Sequence, residues 1–244
     1  MAVDISKLNR HDVARKLDFA ILDKAGLETD NLKGCRDVQE YNFIAFHVLP
    51  CWIPLVVREI GSFARENAIE IGAPVSFPYG TALGSSKASE AEGLIEEGAT
   101  ALDMVANIGW LKDRRFDLYE AECREHIGLC HDAGINGKVI IEIGYLSDEQ
   151  IATATQIVAQ AGADFVKTAT GTGPPGRPNF HDYQLIRDTL DKTGTSTGIK
   201  VSGIVEPRIL NAYSFIRLGA DRIGTRAAPQ IVQALPRVRN NLYL

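Results

Sequence analysis

The chain lacks the features that mark secreted, membrane-spanning or nucleic-acid-binding proteins. Its four cysteines, Cys35, Cys51, Cys123 and Cys130, form no CxxC pair, which argues against both a disulfide framework and a zinc ribbon. No apolar run approaches the roughly 20 residues of a membrane span, and the stretch from Met1 to Arg10 has no apolar centre of the kind a secretory signal carries. Basic residues are outnumbered, 26 Lys and Arg against 31 Asp and Glu, for a net charge of −5. No broad basic face is implied, so neither nucleic acid nor a membrane is an expected partner, and a cytoplasmic location is. Low-complexity tracts, long charge runs and domain boundaries are also missing. What is present is 244 residues with 45% hydrophobic and 23% charged, an ordinary globular composition compatible with one domain over residues 1–244.

Short apolar segments alternate with amphipathic ones. Strands are expected near 17–22, 43–49, 70–77, 99–105, 137–143, 163–169, 198–203 and 220–225. Between them, Ser147 and Gln150 form a capping box that opens a helix through Ala161, and Pro207 suits a first helical position. Gly162, Gly198 and Gly219 stand where helices should stop before the next strand. Eight strand-helix units favour closure into a (β/α)8 TIM barrel over an open doubly wound sheet.

Four of these strands carry a charge that stability does not ask for. Lys167 sits in Ala163-Asp164-Phe165-Val166-Lys167-Thr168-Ala169, Lys138 in Gly137-Lys138-Val139-Ile140-Ile141-Glu142, Lys200 in Gly198-Ile199-Lys200-Val201-Ser202, and Asp103 in Ala101-Leu102-Asp103-Met104-Val105. Desolvating an isolated ammonium costs several kcal/mol, about as much as a domain's whole margin of stability, so a buried lysine is paired, neutralised or used. Alternation puts Lys138, Ile140 and Glu142 on one face of the fifth strand, and Phe165, Lys167 and Ala169 on one face of the sixth. In a barrel the site forms at the carboxyl ends of the strands, where strands four to seven aim these charges at one volume.

Imine chemistry wants such a set. A lysine attacks a carbonyl only as the free amine, and burial beside a second cation disfavours the ammonium form. Lys167 is thus the candidate nucleophile and Lys200 its perturbing neighbour. Asp103 would move protons with Lys200, and Lys138 would hold Asp103 in place and ionised.

These segments resemble the deoxyribose-phosphate aldolase family of class I aldolases over nearly the whole chain. The resemblance rests on Glu97-Gly98-Ala99, Asp103-Met104-Val105, Asn107-Ile108-Gly109, Lys138-Val139-Ile140-Ile141-Glu142 and Ala161 through Thr168 with Thr170-Gly171. Weaker echoes are Phe77-Pro78 with Gly80, and Pro50 with Pro54. It implies a Schiff base on Lys167, perturbation by Lys200 and proton transfer by Asp103, with Thr168 in support. It also implies an aldehyde and a sugar phosphate as substrates, no metal or cofactor, and a homodimer. The chain departs from the family at the substrate end. Asp18-Phe19-Ala20 replaces Asp-His-Thr, and His47 and Leu49 replace a cysteine and an asparagine. The family's phosphate site, a double glycine and a Gly-x-Ser-Ser-like turn, reads here as Ser202-Gly203-Ile204 and Gly224-Thr225-Arg226-Ala227. Arg226, with Arg177 in the loop after Gly171, either offers bidentate anion recognition in its place or points to solvent.

Other signals in the chain have plainer explanations beside the functional ones. Cys123, His126 and Cys130 share a helical face and could hold a metal, but Phe116, Tyr119, Cys123, Ile127 and Cys130 trace an apolar stripe, the better explanation. The run Gly171-Thr172-Gly173-Pro174-Pro175-Gly176, with Asp191 downstream, matches GxGxxG. Its prolines forbid the helix a dinucleotide needs until Asn179 caps the next one. His47 is either a general base or a hydrogen-bonded interior histidine, and Tyr243 a tail residue that assists proton transfer or is inert. Three further readings stand: the same lyase chemistry on a different acceptor aldehyde, carboxylated or without phosphate; an imine-forming enzyme for a keto acid; and a barrel that only binds a sugar phosphate.

Overall fold

The structure is a computed structural model that describes residues 3–174 and 178–240. Eight parallel strands close in sequential order into a barrel: β1 Leu17–Ile21, β2 Ala45–Val48, β3 Glu70–Val75, β4 Ala101–Val105, β5 Asn136–Ile140, β6 Phe165–Lys167, β7 Gly198–Ser202 and β8 Arg222–Thr225. A short α1, Arg10–Ala14, precedes the barrel. The strands are followed in turn by α2 Glu28–Tyr41, α3 Ile53–Glu66, α4 Gly84–Glu96, the pair α5 Ile108–Lys112 and α6 Phe116–Asp132, α7 Asp148–Gln160, α8 Phe180–Thr193, α9 Arg208–Leu218 and α10 Ala228–Arg239. The (β/α)8 TIM barrel expected from the alternation is the architecture found.

Several boundaries differ from the expected ones, for local reasons. β5 stops at Ile140 because Glu142 turns into the left-handed region at φ 50°, so Glu142 leaves the strand face it was expected to share with Lys138. β6 is three residues long, but its ladder continues irregularly, with Ile141 N–H donating to Lys167 O and Thr168 N–H to Lys200 O. Gly198 opens β7 instead of ending a helix; the left-handed stop of α8 is Gly194. Pro207 is the residue before the first turn of α9. The Ser147/Gln150 box, and an equivalent Asn179/Asp182 box on α8, form as the hydrogen-bonding pattern requires.

One alternation of the strands faces the helices and supplies the apolar core: Leu17, Phe46, Ile71, Leu102, Val139, Val166, Ile199 and Ile223 are all buried there. Each such side chain contributes about 1.5–3 kcal/mol by burial. The other alternation faces the barrel axis and is ionic. At its amino-terminal end Glu70 accepts from Lys138 Nζ at 2.8 Å, from Arg222 Nη1 at 2.6 Å and Nη2 at 2.5 Å, and from Asn136 Nδ2 at 2.5 Å. The Arg222 guanidinium lies 4.5 Å from the centre of the Phe165 ring. Burial raises the Glu70 carboxyl, but Lys138 and Arg222 overrule it and hold the group at about 2.

The helix layer leaves little slack. Gly34 of α2 lies where a Cβ would come within 2.5 Å of Cζ of Phe46, a buried ring stacked on Phe19 at 5.2 Å. Gly34→Ala should therefore lower stability by about 1–3 kcal/mol in denaturant titrations, as overpacking does. Glu70 makes a pH prediction. A carboxylate held at about 2 in the fold, against 4.5 when free, contributes roughly 3 kcal/mol that is complete above the free value and lost as pH falls toward 2. Glu70→Gln should be markedly less stable than the native protein at pH 7, with the gap narrowing steadily as the pH falls below 5 in parallel melts.

Candidate active site

Register places the charged side chains at matching depths. Asp103 pairs with Lys138 across β4 and β5, Lys167 with Lys200 across β6 and β7, and Lys200 with Arg222 across β7 and β8. The point where they meet is the Asp103 carboxylate, which is completely buried. Its Oδ2 accepts from Lys167 Nζ at 2.7 Å and from Lys200 Nζ at 2.6 Å. Its Oδ1 lies 3.1 Å from His47 Nε2 and 3.6 Å from Lys138 Nζ. Lys138 thus lies within ion-pair distance of Asp103, though its shorter contact is with Glu70.

Asp18, on β1, completes the cluster. Its Oδ2 is 2.7 Å from Lys200 Nζ and its Oδ1 is 2.6 Å from His47 Nδ1. Burial raises both Asp18 and Asp103, yet the cations around them win, and both carboxyls lie well below the usual range. The neighbours that lower them are chiefly His47 and Lys200 for Asp18, and His47, Lys167, Lys200 and Lys138 for Asp103. Lys200 is the reverse case. Burial pushes its ammonium down to about 8 against the pull of Asp103 and Asp18, with Lys167 and Lys138 adding to the push. Lys200 therefore exchanges its proton near neutrality at small energetic cost.

Above this cluster opens a cavity of about 520 Å³ whose floor is Lys167, Lys200 and His47. Its walls include Gly171, Ser202, Gly203, Gly224, Thr225 and Arg226, so these expected substrate-side residues do converge on one space. Gly171 and Gly203 have φ of 86° and 78°, conformations that L side chains rarely adopt, and a Cβ on Gly171 would lie 3.7 Å from the Gly203 Cα. Glu142 also reaches the cavity and accepts from Thr170 N–H through both oxygens at 3.2 Å; burial raises its carboxyl.

Some expected residues have other roles. Thr168 is fully buried and does not line the cavity. Its hydroxyl donates to Ser202 O at 2.8 Å and accepts from Ser202 N–H at 2.9 Å, joining the ends of β6 and β7. The Ser202 hydroxyl donates to Ala169 O at 2.5 Å. Arg177 and Tyr243 lie outside the described residues, as do two positions of the glycine-proline loop. In the described part of that loop no helix opens before Phe180. On α6, Tyr119, Cys123, Ile127 and Cys130 are buried as a packed stripe, with Phe116 at its exposed end. His126 Nε2 is 3.8 Å from Cys130 Sγ, and burial holds the His126 ring at about 4.

Sequence reasoning passed over Glu70, Arg222, Arg208 and the role of Asp18. Asp18 carries the same signal as Asp103, one charge within an apolar strand, and was open to the same argument. Glu70 and Arg222 begin their strands, where solvent explains a charge as readily as a buried partner does. Arg208 lies on the cavity wall, with Nη2 3.2 Å from Glu206 Oε1, at the start of α9.

The wider comparisons agree with this geometry. The family model for the DeoC/LacD family aldolase matches residues 49–224. Deoxyribose-phosphate aldolase of Thermococcus kodakarensis is 35% identical over 231 residues, covering 94% of this chain and 99% of that protein. The enzyme of the same name from Bacteroides thetaiotaomicron is 32% identical over 238 residues, covering 98% and 96%. Among solved structures, an aldolase named QR15 superposes with a TM-score of 0.81 at 30% identity, covering 96% of this chain and 99% of that one. A tetrameric deoxyribose phosphate aldolase from Aeropyrum pernix, at 24% identity and a TM-score of 0.81, covers 94% and 93% and shares the fold. With the lysines and the aspartate gathered beneath one cavity and relatives matched from end to end, this chain belongs to the DeoC/LacD family of aldolases, carbon-carbon lyases acting on small molecules.

Proposed function

We propose that the protein cleaves 2-deoxy-D-ribose 5-phosphate, or a closely related deoxy sugar, reversibly to acetaldehyde and glyceraldehyde 3-phosphate through an imine on Lys167. The observation that carries this reading is the placement of Lys167 Nζ on the cavity floor, 2.7 Å from Asp103 Oδ2 and in register with Lys200. The Lys167 amine adds to the sugar aldehyde, and loss of water gives the iminium. Removal of the proton from the C3 hydroxyl lets the C2–C3 bonding pair flow into the iminium, releasing glyceraldehyde 3-phosphate and leaving an enamine. Protonation at the enamine carbon and addition of water then release acetaldehyde and the free amine. Asp103 and Lys200 would carry these protons, a reading supported by the burial that brings Lys200 down to about 8 and by the Asp103 oxygen it shares with Lys167.

The phosphate would sit toward Gly203, Gly224, Thr225 and Arg226, on the cavity wall. A second reading, a carboxylated or unphosphorylated acceptor, is favoured by one observation. Ile204 occupies the place of the family's second glycine, and Arg208 and Arg226 line the wall beside it. Guanidinium groups recognise carboxylate as readily as phosphate. The same proposal includes a cytoplasmic location, supported by four unpaired cysteines, and a homodimer, supported by Tyr79 and Leu83, which stand 79% and 74% exposed.

Borohydride reduction in the presence of acetaldehyde, followed by mass spectrometry, should mark Lys167, and Lys167→Met should abolish both the adduct and turnover. Marking with pyruvate in place of acetaldehyde would favour a keto-acid enzyme, and marking with neither would leave a binding barrel. For the acceptor, kcat/KM for deoxyribose 5-phosphate should exceed that for free deoxyribose by more than about a hundredfold, some 2.7 kcal/mol of anion recognition. Equal values would contradict the phosphorylated substrate.

A further inference from the structure

His47 occupies a position that chemistry constrains. Its Nδ1 is 2.6 Å from Asp18 Oδ1 and its Nε2 is 3.1 Å from Asp103 Oδ1, while Lys200 Nζ bridges the other oxygens of the same carboxylates at 2.7 and 2.6 Å. Two aspartates, a lysine and a histidine therefore form a closed ring. Space for the imidazole comes from β3, where Gly72 stands opposite His47; a Cβ there would come within 2.4 Å of Nε2. A neutral imidazole has one N–H and one bare lone pair. In the tautomer with its N–H at Nδ1, on the Asp18 side, the Nε2 lone pair faces Asp103 Oδ1 at 3.1 Å and can take a proton from that carboxyl.

We propose that His47 is the proton store for the imine-forming lysine, receiving through Asp103 the proton that Lys167 must shed. The proton leaves Lys167 Nζ for Asp103 Oδ2, and Asp103 Oδ1 passes a proton to His47 Nε2. The products are a neutral amine, an unchanged carboxylate and an imidazolium lying between the two aspartates. The number of protons in the sealed interior is conserved, so the amine is freed without exporting charge through a low-dielectric barrel. Reversing the same path returns a proton to Asp103, ready for the enamine carbon. His47 acts through Asp103 and so is a positioning residue. The charged groups around it are Asp18 from β1 and Asp103 from β4 at first contact, then Lys200 from β7, Lys167 from β6 and Lys138 from β5, with Glu70 of β3 and Arg222 of β8 behind them.

The inference rests on the imine reading above, and the experiment separates the two. Initial rates of borohydride trapping by acetaldehyde are measured across pH for the native enzyme, His47→Gln and His47→Ala. In both variants trapping at pH 7 should be at least about tenfold slower, within the range of general-base effects. It should recover as the pH rises and solvent base removes the proton, and added imidazole should restore the alanine variant at pH 7. Native rates and an unchanged pH profile in His47→Gln would overturn the inference, and so would a loss in His47→Ala that neither higher pH nor imidazole repairs. If the native enzyme itself fails to trap acetaldehyde on Lys167, the imine reading falls first.

Discussion

One carboxylate, Asp103, stands between two ammonium groups that would otherwise repel each other across a dry barrel. Lys167 and Lys200 both reach its Oδ2, at 2.7 and 2.6 Å. Without that negative charge neither lysine has a reason to be buried, since desolvation of an unpaired ion exceeds anything its hydrocarbon stem regains. The same contact underlies the proposed reactivity. A carboxylate touching both amines can pass a proton between them with sub-ångström movement, and Lys200, held at about 8, is the member poised to change state.

The rest of the interior follows from balancing that cluster. Asp18, Glu70 and Asp103 are set against Lys138, Lys167, Lys200 and Arg222, three acids against four bases. A barrel interior is ordinarily packed with branched aliphatic side chains. Here an ionic column runs from Glu70 and Arg222 at the amino-terminal end to Lys167 at the cavity floor. Stability is supplied instead by the apolar layer between strands and helices, where Phe46, Leu102, Val166 and their neighbours are buried. The two alternations of each strand thus divide the labour, one for cohesion and one for chemistry.

That division explains how much could be read from the sequence. The barrel was readable because eight apolar segments recur between capped helices, and Lys138, Lys167, Lys200 and Asp103 because each interrupts such a segment. Their mutual contacts follow from alternation and depth alone. Glu70 and Arg222 were not readable in this way, because a charge at a strand end has a cheaper explanation in solvent, and only closure of the barrel brings β3 and β8 face to face. The left-handed turn at Glu142 removed it from the strand face for a backbone reason that no side-chain pattern announces. Thr168 lay in a recognisable motif but proves to be a staple between strand ends, a distinction that depends on which way a single side chain points.

The most direct test of this account is a nitrogen NMR titration of the lysine side-chain amines, with Lys200→Met to assign the key resonance. One buried amine, absent from the variant, should titrate near pH 8, more than two pH units below a free lysine. If every lysine instead titrates above pH 10, the interior does not poise an amine for proton exchange, and the electrostatic account of the site is wrong.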